Sequence, residues 1–148
     1  MDLTEEDIFV RKMKEDDISS VTAIDEKITR LHRPDMWKYQ IQHYLSRSES
    51  ICLIAEIENH VVGFMMASIH PWLFGVEKGG WIEILGVDPT HTAKGVGKRL
   101  GERLLEDLKL HKIKVVYTTV DWTSSDLLEF FKTLGMTKSG FITLMKEI

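Results

Sequence analysis

Two neighbouring apolar runs constrain the fold of this chain more than any other feature. Ile51 to Ile57 and Val61 to Ile69 are rich in β-branched and large apolar residues and follow a period of two, as strands do. The residues between the runs, Glu58, Asn59 and His60, favour a turn. The two runs therefore predict an antiparallel β-hairpin.

Periodic patterns on either side of the hairpin predict further strands and helices. Strands are predicted near Ile8 to Met13, at Trp81 to Val87, at Val115 to Val120 and near Phe141 to Ile148. Helices are predicted around Ile18 to Ile28, Trp37 to Leu45, Val96 to Leu108 and Ser125 to Leu134. The internal Gly86 indicates a β-bulge. This order of elements predicts a mixed sheet covered by helices.

Length and charge exclude several classes of protein. The 148 residues predict one domain, residues 1–148. The 19 Lys and Arg against 23 Asp and Glu give a net charge of −4, so the chain has no overall positive field for nucleic acid. No apolar stretch approaches the roughly 20 residues that span a membrane, and the acidic start is unlike a signal peptide. We expect a cytoplasmic protein with neither a nucleic-acid nor a membrane partner, whose lone Cys52 is buried.

The segment from Val87 to Leu100 carries the chemistry, because a strand there passes through a glycine-containing turn into a helix. Gly95 and Gly97 permit backbone conformations closed to other residues, and a helix start offers N–H groups and a positive dipole end. Lys94, Lys98 and Arg99 add positive charge. The segment predicts a phosphate cradle, with an ordinary tight turn as the alternative.

Two familiar phosphate motifs do not fit this turn. A dinucleotide fingerprint needs a third glycine where the chain has Leu100. A nucleotide P-loop ending at Gly97 and Lys98 needs a glycine in place of Thr92 and a serine or threonine in place of Arg99. The turn therefore matches neither of the two familiar phosphate sites.

The segment resembles the signature of the GNAT superfamily, the acyl-CoA-dependent N-acetyltransferases. The family's Gln/Arg-x-x-Gly-x-Gly/Ala turn, which follows a strand ending in Val-x-Pro, is matched by residues 92–97 after residues 87–89. Leu127 to Met136 resembles the family's late helix, which ends in Leu-Gly-Phe. The resemblance implies an α/β (α+β) fold, with a mixed, mostly antiparallel central sheet of six to seven strands flanked by about four helices.

The resemblance also implies a binding site for acetyl-CoA. The backbone of Leu85, Gly86 and Val87 would pair with the pantetheine arm. The pyrophosphate would be held by the N–H groups of the turn, which belong to Ala93, Lys94, Gly95, Val96, Gly97 and Lys98. The chain departs from the family at Phe131, where many members have a tyrosine that protonates the thiolate, and at Ser124, where they often have asparagine. Thr92 replaces the usual Gln or Arg.

Amine acetylation needs a proton acceptor, because an amine is mostly protonated at neutral pH. Glu83 is the ionisable side chain of the strand Trp81 to Val87 and matches a glutamate that serves as base in some family members. We expect burial to raise its pKa; the alternative is a solvent-facing or salt-bridged strand residue. Tyr117 is a possible substitute acid, with a core tyrosine whose hydroxyl is satisfied as the favoured alternative. We expect direct transfer without an acyl-enzyme.

The acceptor side is less defined by sequence. His32, Arg33, Asp35 and Trp37 lie where the family usually shapes the acceptor pocket, with an ordinary solvated loop as the alternative. A wall for the acceptor groove, or a cap on the core, is predicted from the residues His70, Pro71, Trp72 and Phe74. The histidines show no metal-ligand spacing, so no metal is expected.

The function implied is an acyltransferase, an acetyl-CoA-dependent N-acetyltransferase that acts on a primary amine of a small molecule or peptide. The alternative is an acyl-CoA-binding regulatory module without efficient turnover, which the replacement at Phe131 favours. An exposed terminal strand also makes a homodimer possible.

Overall fold

A computed structural model describes residues 7–71, 75 and 77–148 of the chain. The strands are β1 (Ile8–Lys12), β2 (Ser50–Ile57), β3 (His60–Pro71), β4 (Lys78–Val87) and β5 (Val116–Thr118). The α-helices are α1 (Ile18–Thr29), α2 (Pro34–Leu45), α3 (Val96–Leu110) and α4 (Ser125–Thr133). Short 3-10 helices, Glu15–Asp17 and Pro89–Lys94, precede α1 and α3.

The strands form one sheet whose spatial order follows the chain, β1-β2-β3-β4-β5. The pairs from β1 to β4 are antiparallel, whereas β4 and β5 are parallel and are connected through α3, as a parallel pair requires. The predicted hairpin is β2 and β3, with Glu58 and Asn59 at positive φ in its turn. The prediction of a mixed, mostly antiparallel sheet with four α-helices is confirmed.

The number of strands is smaller than predicted, because the described residues form five strands instead of six to seven. The strand expected near Phe141 to Ile148 does not form: these residues have no regular secondary structure. The side chains of Ile142, Leu144 and Met145 are 78–85% exposed. Apolar residues form a stable strand where neighbouring strands and a covering layer bury one face, and here these side chains face solvent.

Helices cover both faces of the sheet and create two apolar cores. α3 and α4 contribute to one core, and α1 and α2 contribute to the other. β2 serves both faces by alternation, since Leu53 and Ala55 belong to the first core and Cys52 and Ile54 belong to the second. The predicted apolar stripe of α3 is confirmed by the buried residues Val96, Leu100, Leu104 and Leu108.

Two ion pairs hold α1 against its surroundings. Arg33, which precedes α2, pairs with the buried Asp25 of α1 at 2.6 Å. Lys27, also on α1, pairs with Asp88 at 2.8 Å. The second pair fastens α1 to the end of β4, where the sheet leads into the glycine-containing turn.

Candidate active site

A β-bulge in β4 sets the geometry of the site. In the β3–β4 register Met66 pairs with Ile84 and Ala67 pairs with Ile82, so that Glu83 is the extra residue. A bulge turns two successive side chains toward the same face, and Glu83 and Ile84 both lie on the α2 face of the sheet. The sequence placed the bulge at Gly86, which is wrong.

The same bulge marks the point where β4 and β5 part. Their parallel pairing ends at Ile82 and Thr118, whereas β4 continues to Val87. The predicted strand Val115 to Val120 is shortened for this reason. The separation opens a cleft of about 180 Å³ that is lined by Ile82, Glu83, Ile84, Leu85, Thr118, Thr119, Leu127 and Phe131.

The β4 edge beyond the bulge has a defined hydrogen-bonding pattern. The Asp88 N–H donates to the Val62 carbonyl at 2.8 Å. Bonded and non-bonded pairs alternate along an antiparallel ladder, so Gly86 directs its main-chain groups toward its partner on β3, Phe64. Leu85 and Val87 consequently direct their N–H and C=O groups toward the opposite edge, where the cleft lies.

Gly86 has a steric role at this point of the sheet. A Cβ atom at Gly86 would lie 2.5 Å from Cε1 of Phe64, closer than two carbon atoms can approach. The glycine therefore lets β4 lie against the Phe64 ring. Of the three residues expected to pair with a pantetheine arm, Leu85 and Val87 present main-chain groups on the cleft side.

Asp88 anchors the turn that follows β4. Its carboxylate accepts hydrogen bonds from the Thr90 N–H at 3.0 Å and the Thr90 hydroxyl at 2.9 Å, and it pairs with Lys27. Burial alone would raise the pKa of Asp88, but the bonds from Lys27 and Thr90 lower it to about 2. The ionised Asp88 thus fixes the start of the 3-10 helix.

The glycines of the turn have different roles. Gly95 has φ 80°, the left-handed region that favours glycine, and it ends the 3-10 helix where α3 begins. The first turn of an α-helix directs N–H groups outward without carbonyl partners inside the helix, as at Val96. A Cβ at Gly97 would lie 3.1 Å from Cε2 of Phe130, so Gly97 also lets α3 approach α4.

The charged side chains of the turn lie at the surface. Lys94 is exposed, and the Lys98 Nζ and the Arg99 guanidinium each lie 3.9 Å from the Glu102 carboxylate. Ala93 belongs to the 3-10 helix, and its side chain is outside the described part of the structure. The turn therefore combines a helix start with nearby positive charge.

α4 closes the far side of the cleft. Phe131 is buried. Both Phe131 and the more exposed Leu127 line the cleft. Ser124 immediately precedes α4. Phe131 has no proton to donate. Tyr117 stacks on Trp81 with ring centroids 5.0 Å apart, whereas its neighbour Thr118 lines the cleft.

Three hydrogen-bond partners surround Glu83. The Tyr44 hydroxyl of α2 donates to its Oε2, and the Ser68 hydroxyl of β3 donates to its Oε1. His70 Nε2 lies 3.2 Å from the same Oε1. Burial would raise the pKa of Glu83, but the bonds from Ser68, Tyr44 and His70 outweigh burial and hold this pKa below its ordinary value. The expected raised pKa is wrong, and the free protein carries an ionised Glu83.

Two of the Glu83 partners, Tyr44 and Ser68, are not predicted as functional from the sequence, although both carry a signal, whereas His70 is predicted only as part of a groove wall or a core cap. Ser68 is a polar residue inside the apolar run of β3, and Tyr44 lies on the apolar stripe of α2. His70 belongs to the end of β3 instead of the predicted connection. Trp72 and Phe74, predicted as part of the acceptor wall, lie outside the described residues.

The residues expected to shape the acceptor pocket have structural contacts. Trp37 is buried, with its ring 5.3 Å from that of Phe64. Arg33 pairs with Asp25, and His32 lies 2.9 Å from a carboxylate oxygen of Glu26. Asp35 lies in the first turn of α2. These contacts join α1 to α2 and to the sheet.

Cys52 is buried, as predicted, and burial is the main cause that raises the pKa of its thiol to about 11. Among the described residues, the acidic, histidine and cysteine side chains form no group of three that could hold a metal. No helix in that part of the chain is both long and apolar enough to cross a bilayer.

Comparison with known proteins identifies the family. The model of the Acetyltransferase (GNAT) family matches residues 18–136, which include β2 to β5 and all of α3 and α4. The chain belongs to the GNAT family of acetyltransferases. This confirms the family predicted from the residues of the turn and of the late helix.

Two curated relatives carry acetyltransferase names. An uncharacterised N-acetyltransferase of Methanocaldococcus jannaschii is 23% identical over 94% of this chain and 66% of the relative. The mycothiol acetyltransferase of Segniliparus rotundus is 33% identical over 78% of this chain and 40% of the relative. This GNAT-family chain thus spans 66% and 40% of the length of these relatives.

A solved structure supports the fold. An aminoglycoside N-acetyltransferase in complex with CoA matches with a TM-score of 0.83 at 16% identity, over 95% of this chain and 94% of that chain. At this identity the match shows a shared fold alone.

Proposed function

We propose that this GNAT-family protein transfers the acetyl group of acetyl-CoA directly to a primary amine of a small molecule or peptide. One observation carries the proposal: Glu83, held ionised by its neighbours, lines the cleft beside the unpaired edge of β4. A thioester held along that edge and an ammonium group attracted to the carboxylate would meet there. Family membership supports acetyl-CoA as the co-substrate, as the sequence predicts.

Main-chain groups on β4 fit the coenzyme's extended arm. Leu85 and Val87 direct N–H and C=O groups to the cleft side, where the pantetheine amides can pair as an added strand would. Phe131 and Leu127 line the cleft with apolar surface, and Ser124 stands at the start of α4.

The turn before α3 fits the coenzyme's pyrophosphate. Gly95 is in the left-handed conformation and α3 begins directly after it. Main-chain N–H groups of residues 93–98 can therefore point away from the helix toward a ligand. Lys94 and Lys98 place positive charge nearby, although the protein is acidic as a whole. Asp88 and Lys27 hold the turn in place, which supports a role for it as a pyrophosphate cradle.

Departure of the thiolate requires little acid catalysis from the protein. When bound, acetyl-CoA supplies an activated acyl carbon and a thiolate leaving group. The conjugate acid of that thiolate has a pKa of roughly 8.5, so the thiolate can leave without a strong acid. Phe131 is therefore compatible with turnover. An N–H group near Val87 would donate to the thioester oxygen, where negative charge develops during attack.

The proton of the acceptor amine leaves toward the Glu83 cluster, which comprises Glu83, Tyr44, Ser68 and His70. An ammonium group cannot attack until it loses a proton. The ionised Glu83 attracts the cation and stabilises positive charge that forms beside it. This charge favours cationic acceptors, and the aminoglycoside N-acetyltransferase of matching fold is consistent with a small amine.

We also propose that residues 1–148 form a single domain. Tyr44 of α2 bonds to Glu83 of β4, and Lys27 of α1 pairs with Asp88 just after β4. Early and late parts of the chain thus build one site on one sheet.

Release of CoA thiol across a panel of amines tests the proposal. We expect turnover with at least one cationic amine, and a fall in kcat/KM of about 100-fold or more for Glu83→Gln, since proton transfer contributes about that much and depends on the negative charge of Glu83 in the cluster. Glu49→Gln is the matched control, because Glu49 makes a half-exposed pair with Lys78. Undiminished release by Glu83→Gln would remove Glu83 from the mechanism.

A binding module without turnover is the second candidate, favoured by Phe131 in place of an acid. Thermal unfolding with acetyl-CoA, NAD and ATP separates the cases, because a ligand of the native state raises its apparent stability. Stabilisation by acetyl-CoA alone, with no thiol release for any amine, would support the binding module. Stabilisation by NAD or ATP instead would contradict both candidates.

A further inference from the structure

We propose that His70 is the proton acceptor of acetyl transfer, taking the proton of the acceptor amine at Nδ1 while Glu83 stabilises the resulting imidazolium. This inference rests on the proposed acetyl transfer and assigns the atom that performs its proton step. It gives a catalytic role to a histidine at the end of β3. This histidine contacts Ser68 and Glu83, and Glu83 is in turn bonded to Tyr44.

The hydrogen bonds of the Glu83 cluster determine the tautomer of His70. The Ser68 hydroxyl has one proton, which it donates to Glu83 Oε1. His70 Nε2 lies 2.8 Å from the same hydroxyl oxygen and 3.2 Å from Glu83 Oε1. Both neighbours of Nε2 can therefore only accept from it, so Nε2 carries the ring proton.

A neutral imidazole protonated at Nε2 has its lone pair at Nδ1. Within the described part of the chain, every side-chain hydrogen bond of His70 is made by Nε2. The side chain is one-third exposed, so a substrate can approach it. Among the described residues, Nδ1 of His70 thus has no hydrogen-bond partner, and its ring is one-third exposed.

Both carboxylate oxygens of Glu83 are already engaged by neighbouring side chains. Its Oε1 already accepts from Ser68 and lies beside His70, and its Oε2 accepts from Tyr44. Each of these bonds favours the charged carboxylate and opposes its protonation. Next to an imidazole the same carboxylate stabilises the imidazolium, which is how a fixed carboxylate assists a basic histidine.

The groups around His70 support this assignment from three elements. Glu83 on β4 faces the ring directly, with Tyr44 of α2 behind it. The thiol of Cys52 on β2 lies within electrostatic range of Glu83 but is held protonated by burial. The Trp81 ring meets the imidazole edge-on, with centroids 6.3 Å apart.

The proton step balances as follows. The substrate ammonium gives one proton to Nδ1 of His70, and its freed lone pair forms the C–N bond to the acyl carbon. The nitrogen then loses a second proton, which ends on the sulfur as the C–S bond breaks. The imidazolium returns its proton to water, so that amide, thiol and one released proton are the products.

The test compares His70→Gln with wild type, with His60→Gln as the control. His60 is an exposed histidine at the start of β3, bonded to the Glu58 carbonyl. With the best amine of the panel, kcat/KM is measured from about pH 5.5 to about pH 9, the range in which imidazoles titrate. We expect about 100-fold loss for His70→Gln, without the rise of wild type through neutral pH.

A second measurement separates proton transfer from positioning. Imidazole added to His70→Ala should restore activity several-fold and in a saturable way, because the ring site is open to solvent. Stabilisation by acetyl-CoA should equal that of wild type in both variants. A wild-type pH profile in His70→Gln, or a loss that imidazole does not restore, would overturn the assignment of His70.

Failure of the proposed function has a different signature. Wild-type protein that is stabilised by acetyl-CoA but acetylates no amine would overturn acetyl transfer, and the role of His70 with it. Wild-type turnover that His70→Gln retains in full would overturn only the role of His70.

Discussion

Lys27 of α1 reaches across the protein to pair with Asp88 at 2.8 Å, just where β4 gives way to the turn before α3. Asp88 is buried, and its carboxylate also accepts hydrogen bonds from the backbone N–H and the hydroxyl of Thr90. The pair connects the α1–α2 layer with the proposed pyrophosphate cradle. Neither residue is in the sequence motif's glycine turn, yet both determine its position.

Asp88→Asn is expected to destabilise the protein and weaken its binding of acetyl-CoA. The pKa of Asp88 is lowered to about 2 in the folded chain, so its contribution is complete above the unfolded pKa of roughly 4 and is lost as pH falls through the folded value. We expect a loss of about 2 kcal/mol in the free energy of unfolding at neutral pH. The difference from wild type should shrink as pH falls from 5 toward 2 in urea unfolding.

Lys27→Met is the matched partner variant, because it keeps the aliphatic stem and removes the charge. Its cost should overlap with that of Asp88→Asn, so the double variant should be less destabilised than the sum of the two. A constant difference between Asp88→Asn and wild type at every pH would contradict the ion-pair explanation.

Gly95→Ala is expected to disturb the start of α3. Gly95 has φ 80°, where an alanine costs about 1 kcal/mol. We expect Gly95→Ala to unfold at a lower urea concentration than wild type. We also expect it to need a higher acetyl-CoA concentration for half-maximal thermal stabilisation. Gly140→Ala is the control, since a Cβ there would meet no atom within 4 Å; equal effects of the two variants would contradict a conformational role for Gly95.

Local sequence was sufficient for the turn, the long helix and the β4 strand. Glycines before an apolar stripe such as Val96 and Leu100 encode a helix start through neighbours a few residues away. The fold class follows from such local patterns and from their order along the chain. The family resemblance rests on this segment and on the late helix, Leu127 to Met136.

The Glu83 cluster depends on information that is not local. Tyr44, Ser68 and Glu83 meet only because one extra residue in β4 shifts its register with β3, and a shift of one residue sends a side chain to the other face. The lowered pKa of Glu83 then follows from partners that sequence spacing does not reveal. Likewise, Trp37 was assigned to a pocket, although tertiary packing buries it against Phe64.

Leu85→Pro is expected to weaken acetyl-CoA binding while leaving the fold intact. Proline lacks an N–H, and the N–H of Leu85 is directed to the cleft side and not into the β3–β4 ladder. We expect a several-fold increase in the KM for acetyl-CoA and a small change in unfolding. Leu85→Ala is the control for the side chain and should bind acetyl-CoA more tightly than Leu85→Pro.

Gly86→Pro, at the neighbouring residue, is expected to disrupt the fold instead of acetyl-CoA binding alone. Its N–H belongs to the ladder with Phe64, so proline there removes a sheet hydrogen bond and adds atoms where a Cβ would lie 2.5 Å from the ring. We expect loss of folding in circular dichroism. A folded Gly86→Pro together with an unfolded Leu85→Pro would reverse the assignment of the two edges.

Cys52→Ala is expected to retain acetyl transfer, because the reaction proposed here forms no acyl-enzyme. The thiol is buried on β2, and its pKa is raised to about 11, so the thiolate that would act as nucleophile is scarce at neutral pH. Iodoacetamide should leave native activity unchanged and label Cys52 only after unfolding in urea. Mass spectrometry of the protein during turnover should show no added acetyl group, and an acetylated Cys52 that disappears when amine is added would contradict direct transfer.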